Sequence, residues 1–112
     1  MSGTDYEREL RALLRKHDWI VFRSAGSFVC DIIALRPTEH MIVEAKATKG
    51  DRYYTTNNKE QFDLLNGYAN QGFNVYYYVR WKRKNFWSRW KLPLEPYPVF
   101  KRDDEEARLD IK

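Results

Sequence analysis

Asp31, Glu44 and Lys46 are the residues whose types and spacing could do chemistry in this chain. Asp31 opens one apolar segment, Asp-Ile-Ile-Ala-Leu, and Glu44 and Lys46 close another, Met-Ile-Val-Glu-Ala-Lys. Side chains two apart on a strand project from the same face, so Glu44 and Lys46 emerge together, and Asp31 reaches them from the neighbouring strand. Two carboxylates at one point repel unless a cation joins them. Mg²⁺ is the natural choice for an all-oxygen site that keeps water positions open. A lysine beside that pair can orient a water or steady charge on a scissile phosphate. This is the equipment of a phosphodiester hydrolase. The same three residues also read as an ordinary salt bridge at a strand end, and the triplet alone does not separate the two.

The elements that position these residues are legible from periodicity. Thr4 followed by Glu7 reads as a capping box, and Tyr6, Leu10, Leu13 and Leu14 recur at helical spacing, which predicts an amphipathic helix over 5–16. Strands are expected over 19–23, 31–35 and 41–46, with Pro37 ending the second. Asn57 with Glu60 offers a second cap, and Phe62, Leu65 and Tyr68 or Ala69 give a second helix ending before Gly72. Further strands are expected over 74–81, 86–90 and 99–100, followed by a frayed, mixed-charge tail over 101–112. Helix, three strands, helix, strand predicts a single α/β domain over 1–112, with a core at about 4–100 and a central mixed sheet flanked by helices. The second helix has the length of a crossover, so the strands before and after it are expected to be parallel.

Composition narrows the function classes. One cysteine, Cys30, excludes an intrachain disulfide, and His17 and His40 have no ligand-like spacing, so a zinc site is excluded. No apolar signal segment or membrane-length stretch is present, so an intracellular protein without membrane association is expected. The net charge is +4, but its distribution matters more. Between residues 80 and 91 lie Arg80, Lys82, Arg83, Lys84, Arg89 and Lys91 with no acid, leaving −2 for the rest of the chain. Such a stripe suits a polyanion, or it is a solvated strand edge guarded by charge. Tyr76, Tyr77 and Tyr78 alternate across a sheet and read as core and interface. Trp87 and Trp90, beside Arg89 and Lys91, fit either stacking on unpaired bases or a buried dimer contact.

The sequence resembles the archaeal-type Holliday junction resolvases of the PD-(D/E)xK nuclease superfamily. The resemblance runs over about residues 3–81. It is carried by Glu7-Arg8-Glu9-Leu10, by Val21-Phe22-Arg23-Ser24-Ala25-Gly26-Ser27, by Asp31-Ile32-Ile33-Ala34 and by Val43-Glu44-Ala45-Lys46. It implies a homodimer that binds four-way junction DNA and makes paired symmetric nicks with Mg²⁺, for which Mn²⁺ can substitute, and with no small-molecule cofactor. Asp31 and Glu44 would hold the metal, with Glu7 as a further acid from the first helix, and Lys46 would be the catalytic lysine. Arg8 and Arg23 match basic residues near the scissile phosphate, and Ser27 falls in a loop beside the active site. DNA contacts are expected from Arg8, Arg23, Ser24 and Ser27. Arg80, where some relatives carry lysine, and the Lys82-Arg83-Lys84 run extend that DNA surface.

Departures from the family pattern are local. Phe28-Val29 occupies a loop position that is basic in some relatives, and Ala45 replaces a common valine at a position that only packs. The region after Trp81 does not align. A non-catalytic junction-binding protein on the same fold, or another nuclease of the superfamily, is the alternative. A homodimer is further expected because the aromatic content over 68–90 exceeds what one small core hides, which places the contact on the second helix and the strands after it.

Overall fold

The computed structural model describes residues 3–24 and 30–109. Helix α1 (Gly3–Lys16) leads into strands β1 (Ile20–Arg23), β2 (Ile32–Arg36), β3 (Glu39–Thr48) and β4 (Arg52–Tyr54). A 3₁₀ turn (Thr55–Asn58) opens helix α2 (Lys59–Asn70), followed by β5 (Val75–Trp81), β6 (Phe86–Lys91) and β7 (Val99–Lys101). Five strands form one sheet in the order β1-β2-β3-β5-β6, and β4 and β7 form a second, two-stranded sheet. The expected α/β architecture with a mixed sheet is present. β3 and β5 are parallel across the α2 crossover, and the other pairs are antiparallel.

The strand period divides the core into two layers. On one face Ile32, Ala34, Met41, Val43 and Tyr78 pack under Tyr6, Leu10 and Leu14 of α1. The four-residue spacing of those three helix residues makes one apolar stripe. On the other face Val75, Tyr77, Val79 and Trp81 pack with Phe62, Leu65 and Ala69 of α2 and with Tyr53 and Phe100 of the small sheet. Gly72 leaves α2 at φ +107, a conformation that favours glycine.

Several expectations are corrected. α1 begins at Gly3, so Thr4 lies inside the helix and not before it, and the Glu7 carboxylate lies near Arg11 and Arg23. The α2 cap is Asn58, whose side chain accepts from the Gln61 amide at 3.1 Å, one residue later than expected. β4 is too short to carry a periodic signal and was not expected. The segment after Lys101 is not frayed as far as Leu109. Arg89 N–H donates to Ala107 O at 3.0 Å and Leu109 N–H to Trp87 O at 2.9 Å, so it covers the β6 edge.

The tyrosines of β5 take core positions as expected, and the tryptophans join them. Tyr77, Tyr78, Trp81 and Trp87 are all buried, and Trp90 stacks on Phe100 with centroids 4.5 Å apart. Trp87 Nε1–H is held by the Glu9 carboxylate at 2.7 Å. One small core therefore does hide these rings. Neither tryptophan is a base-stacking platform, and among the described aromatics of 68–90 Phe73 is the one largely exposed.

Candidate active site

β3 is the central strand, and its alternation sends Val43 into the α1 layer and Glu44 and Lys46 to the α2 face. The residue opposite Glu44 on β5 is Tyr77. Asp31 stands just before β2. Its N–H donates to Val43 O at 3.1 Å, and its Oδ2 accepts the Ala45 N–H at 2.9 Å. That second bond fixes the Asp31 carboxylate against β3 between Glu44 and Lys46. The three residues expected to do chemistry are thus brought together.

Their electrostatics are unusual for a structural pair. Glu44 is only 3% exposed, and Lys46 Nζ lies 3.0 Å from Glu44 Oε2. Glu44 Oε1 is buried and accepts no hydrogen bond. Burial, and then the Asp31 carboxylate, push the Glu44 carboxyl up to about 8, although Lys46 opposes the shift. For Lys46 burial acts downward, but Glu44, Tyr53 and Asp31 outweigh it, and the ammonium is held above its ordinary value. Burial, then Glu44 and Asp31, push up the Cys30 thiol, and burial followed by Glu44 raises the Tyr77 phenol. Cys30, Tyr53 and Tyr77 are therefore the walls of the site. Sequence reasoning missed all three: Cys30 and Tyr53 have no motif, and Tyr77 follows only from the β3–β5 register.

A buried acceptor oxygen without a donor, beside a second carboxylate, is an uncompensated cost that a cation removes. Asp31 and Glu44 supply hard oxygen donors, and Mg²⁺ is commonly held by one or two carboxylates with water and substrate completing the sphere. The residues fit a divalent cation.

Glu7, expected as a further acid of the site, lies among cations. It enters from α1, on the opposite face, where its Oε1 lies 3.4 Å from Arg23 Nε and 3.8 Å from Arg11 Nε. Both are ion pairs without hydrogen-bond alignment, since Glu7 Oε1 and Arg11 Nε are also buried without hydrogen-bond partners. Among the described residues, no group of three or more acids, histidines or cysteines is gathered as a metal site. Arg23 pairs with Glu7 rather than Asp31.

Other expected site residues fall in different places. Arg8 is exposed at the start of α1, near Asp5. Ser24 donates its N–H to Asp31 O at 2.9 Å, tying β1 to the site. Ser27 lies outside the described residues. Arg80, expected at the DNA surface, is 5% exposed. Its guanidinium bonds Glu9 at 2.8 Å, Asn85 at 2.6 Å and Trp81 O at 3.1 Å, which turns it inward. Arg83 and Lys84 are exposed on the β5–β6 turn, and Lys82 lies 5.4 Å from the Tyr6 ring centre. The basic turn and the start of α1 thus share one surface. His17 and His40 stay apart from the site. Among the described residues no helix is long and apolar enough to cross a membrane.

A mixed sheet with Glu44 and Lys46 on its central strand and Asp31 at the entry to the neighbouring one is the arrangement of PD-(D/E)xK-type nucleases, the class the sequence resembles. The model of the archaeal Holliday junction resolvase (Hjc) family matches residues 1–108, and the chain belongs to that family. One relative is the crossover junction endodeoxyribonuclease Hjc of Methanocaldococcus jannaschii, 42% identical over 64 residues. That match covers 57% of this chain and 47% of the relative, so the aligned stretch spans about half of the relative's length. Among solved structures, Hjc of Archaeoglobus fulgidus, a Holliday junction resolvase, matches with a TM-score of 0.75. It is 24% identical, and the match covers 96% of this chain and 89% of that one, a likeness of fold.

Proposed function

We propose that the chain is a structure-selective endodeoxyribonuclease that resolves four-way DNA junctions by paired, Mg²⁺-dependent phosphodiester hydrolysis. The observation that carries this reading is the buried Glu44 carboxylate, flanked by Asp31 and Lys46, with one oxygen lacking any donor. Family membership supplies the substrate class.

Asp31 and Glu44 would hold the cation. The Ala45 N–H on Asp31 Oδ2 holds that carboxylate in position for this role. Bound Mg²⁺, or Mn²⁺ in its place, supplies Lewis acidity and neutralises charge on the scissile phosphate. In the metal-free chain Glu44, Tyr53 and Asp31 hold the Lys46 ammonium above its ordinary value. Beside the acid pair it is placed to donate a hydrogen bond to a phosphate oxygen or to orient the attacking water. Glu7 serves to place Arg23 at the end of β1, opposite Ile32, the residue that follows Asp31. Arg8, Arg23, Ser24 and the Lys82-Arg83-Lys84 turn contact backbone phosphates, and Ser27 belongs to the loop joining Ser24 to Asp31 in sequence. Recognition rests on branch shape and phosphates, with little reading of bases.

A homodimer matches the two-fold relation between the strands of a junction. Its contact surface is the outer face of the β1–β2 pair. Ile20, Phe22, Ile33 and Leu35 are exposed there, with Ile20 opposite Leu35 and Phe22 opposite Ile33. Four adjoining apolar side chains, on the face that α1 does not cover, form a patch of the kind that marks an interface.

The test is a synthetic four-way junction beside a linear duplex of matched sequence, each with Mg²⁺. Paired nicks in the junction and little duplex cutting are expected. Equal cutting of both substrates would indicate a general nuclease, and junction binding without nicking in Mg²⁺ or Mn²⁺ would indicate a binding protein.

A further inference from the structure

Beneath the C-terminal end of α1, on the face opposite Glu44 and Lys46, lies a half-open cavity of about 430 Å³. Its wall includes the start of β3, at the end of that strand away from Glu44 and Lys46. Arg36, Arg89 and Lys91 line it against one carboxylate, Glu39, which leaves two positive charges in excess. Tyr76 is opposite Lys91, and Tyr78 opposite Arg89, so these four side chains share one face of the β5–β6 pair.

The two guanidinium groups are held in place before any ligand arrives. That of Arg36 lies 4.1 Å from the Trp19 ring centre, donates to Glu39 at 3.3 Å and is further held by the His17 carbonyl. That of Arg89 lies 4.8 Å from the Tyr76 ring centre and donates to the Tyr78 hydroxyl at 3.2 Å. Stacking on an aromatic face orients a guanidinium without consuming its N–H edge. Burial raises the Tyr78 hydroxyl while Arg89 and Arg36 both pull it down, so both cations act on one point of the cavity wall. Among the described residues, Lys91 makes no ion pair or hydrogen bond through its ammonium.

We propose that this cavity is a phosphate-binding site that accepts a nucleotide phosphate, through Arg89 and Lys91 with Arg36 behind them. A dianion matches the charge excess. Planar N–H edges match phosphate oxygens. The volume lies within the range of small-ligand pockets. The phosphate has two sources, a free nucleotide or the backbone of a DNA arm, and the chemistry at the cavity is the same for both. The site is separate from the nuclease centre and does not depend on its activity.

The test uses the full chain with deoxyadenosine monophosphate as probe, deoxyadenosine as the phosphate-free control, and calorimetry or NMR shifts as readout. The monophosphate is expected to bind and deoxyadenosine to bind far more weakly. Arg89→Met with Lys91→Met, both exposed side chains, should weaken the monophosphate by about tenfold or more, as expected for lost charge-assisted bonds. Arg36→Met should weaken it separately, with unchanged circular dichroism confirming that each variant folds. Asp31→Asn should leave this binding intact, which keeps the result independent of the proposed nuclease function. Absence of monophosphate binding, equal binding of deoxyadenosine, or full binding by the Arg89/Lys91 variant would overturn the proposal. If that variant also binds a four-way junction more weakly with a shallower salt dependence, the phosphate comes from a DNA arm. If junction affinity is unchanged while monophosphate binding is lost, the ligand is a free nucleotide.

Discussion

At the scale of single residues, Glu44 is the side chain under greatest electrostatic stress. Asp31→Asn and Glu44→Gln keep shape and remove the charge that would hold a cation, and Lys46→Ala removes the donor beside it. Each is expected to lower single-turnover junction cleavage on the order of a hundredfold, the scale of one lost electrostatic contributor. Junction affinity should fall little for the two acid variants, because each loses a carboxylate that faces phosphate. Near-normal cleavage by the acid variants would make the cluster a structural salt bridge. Glu44 also predicts a pH dependence. Its carboxyl sits at about 8 in the folded, metal-free protein against 4.5 ordinarily. Between those values the native state holds more protons than the unfolded chain, so stability falls as pH rises through this window. Urea midpoints of metal-free protein should therefore decline from pH 5 toward pH 8. Mg²⁺ should restore more stability at the upper end, and Glu44→Gln should flatten the slope. A slope unchanged in the glutamine variant would exclude Glu44 as its source.

At the scale of elements, the Glu9–Arg80 pair joins α1 to the hairpin that carries the basic turn. Glu9 accepts from Arg80 and Trp87, and Arg80 holds Asn85, which has φ 64 at the foot of that turn. Glu9→Gln leaves a buried guanidinium without its counter-charge. It should cost on the order of 2 kcal/mol in urea unfolding, less than a fully buried pair because Glu9 is partly exposed. No change in midpoint would make the pair incidental. Replacing Lys82, Arg83 and Lys84 together should behave differently. Stability should hold, junction binding should weaken, and the slope of affinity against salt should become shallower. An unchanged slope would leave the turn a solvated edge. Arg80 shows where sequence reading ran out: in the chain it is one of six cations in a stripe, and only the packing of α1 reveals that it points inward. The Asp31, Glu44 and Lys46 site was legible because strand periodicity fixes which residues share a face. β4, and with it Tyr53, was not, because three residues carry no period and their partner β7 lies far along the chain. The order over 101–109 was hidden for the same reason, since its bonds to β6 are tertiary.

At the scale of the whole molecule, the outer face of β1 and β2 predicts assembly. Phe22→Asp with Ile33→Asp places charge at the centre of the exposed patch. In light scattering at micromolar concentration the parent chain is expected to run as a dimer and this variant as a monomer, with unchanged circular dichroism. A parent chain that is monomeric across that range would remove the dimer proposal.

β3, which carries Glu44 and Lys46, pairs with β2 over Glu39–Val43 and with β5 over Ile42–Thr48, so strands flank it on both sides only at Ile42 and Val43. Past that point its β2 side is closed by the Asp31 carboxylate, which takes the Ala45 N–H at 2.9 Å. The acid that would hold the cation is thus also the latch on the open edge of the strand. Hydrogen exchange at the Ala45 amide should speed up in Asp31→Ala, while Ile42 and Val43 keep their protection.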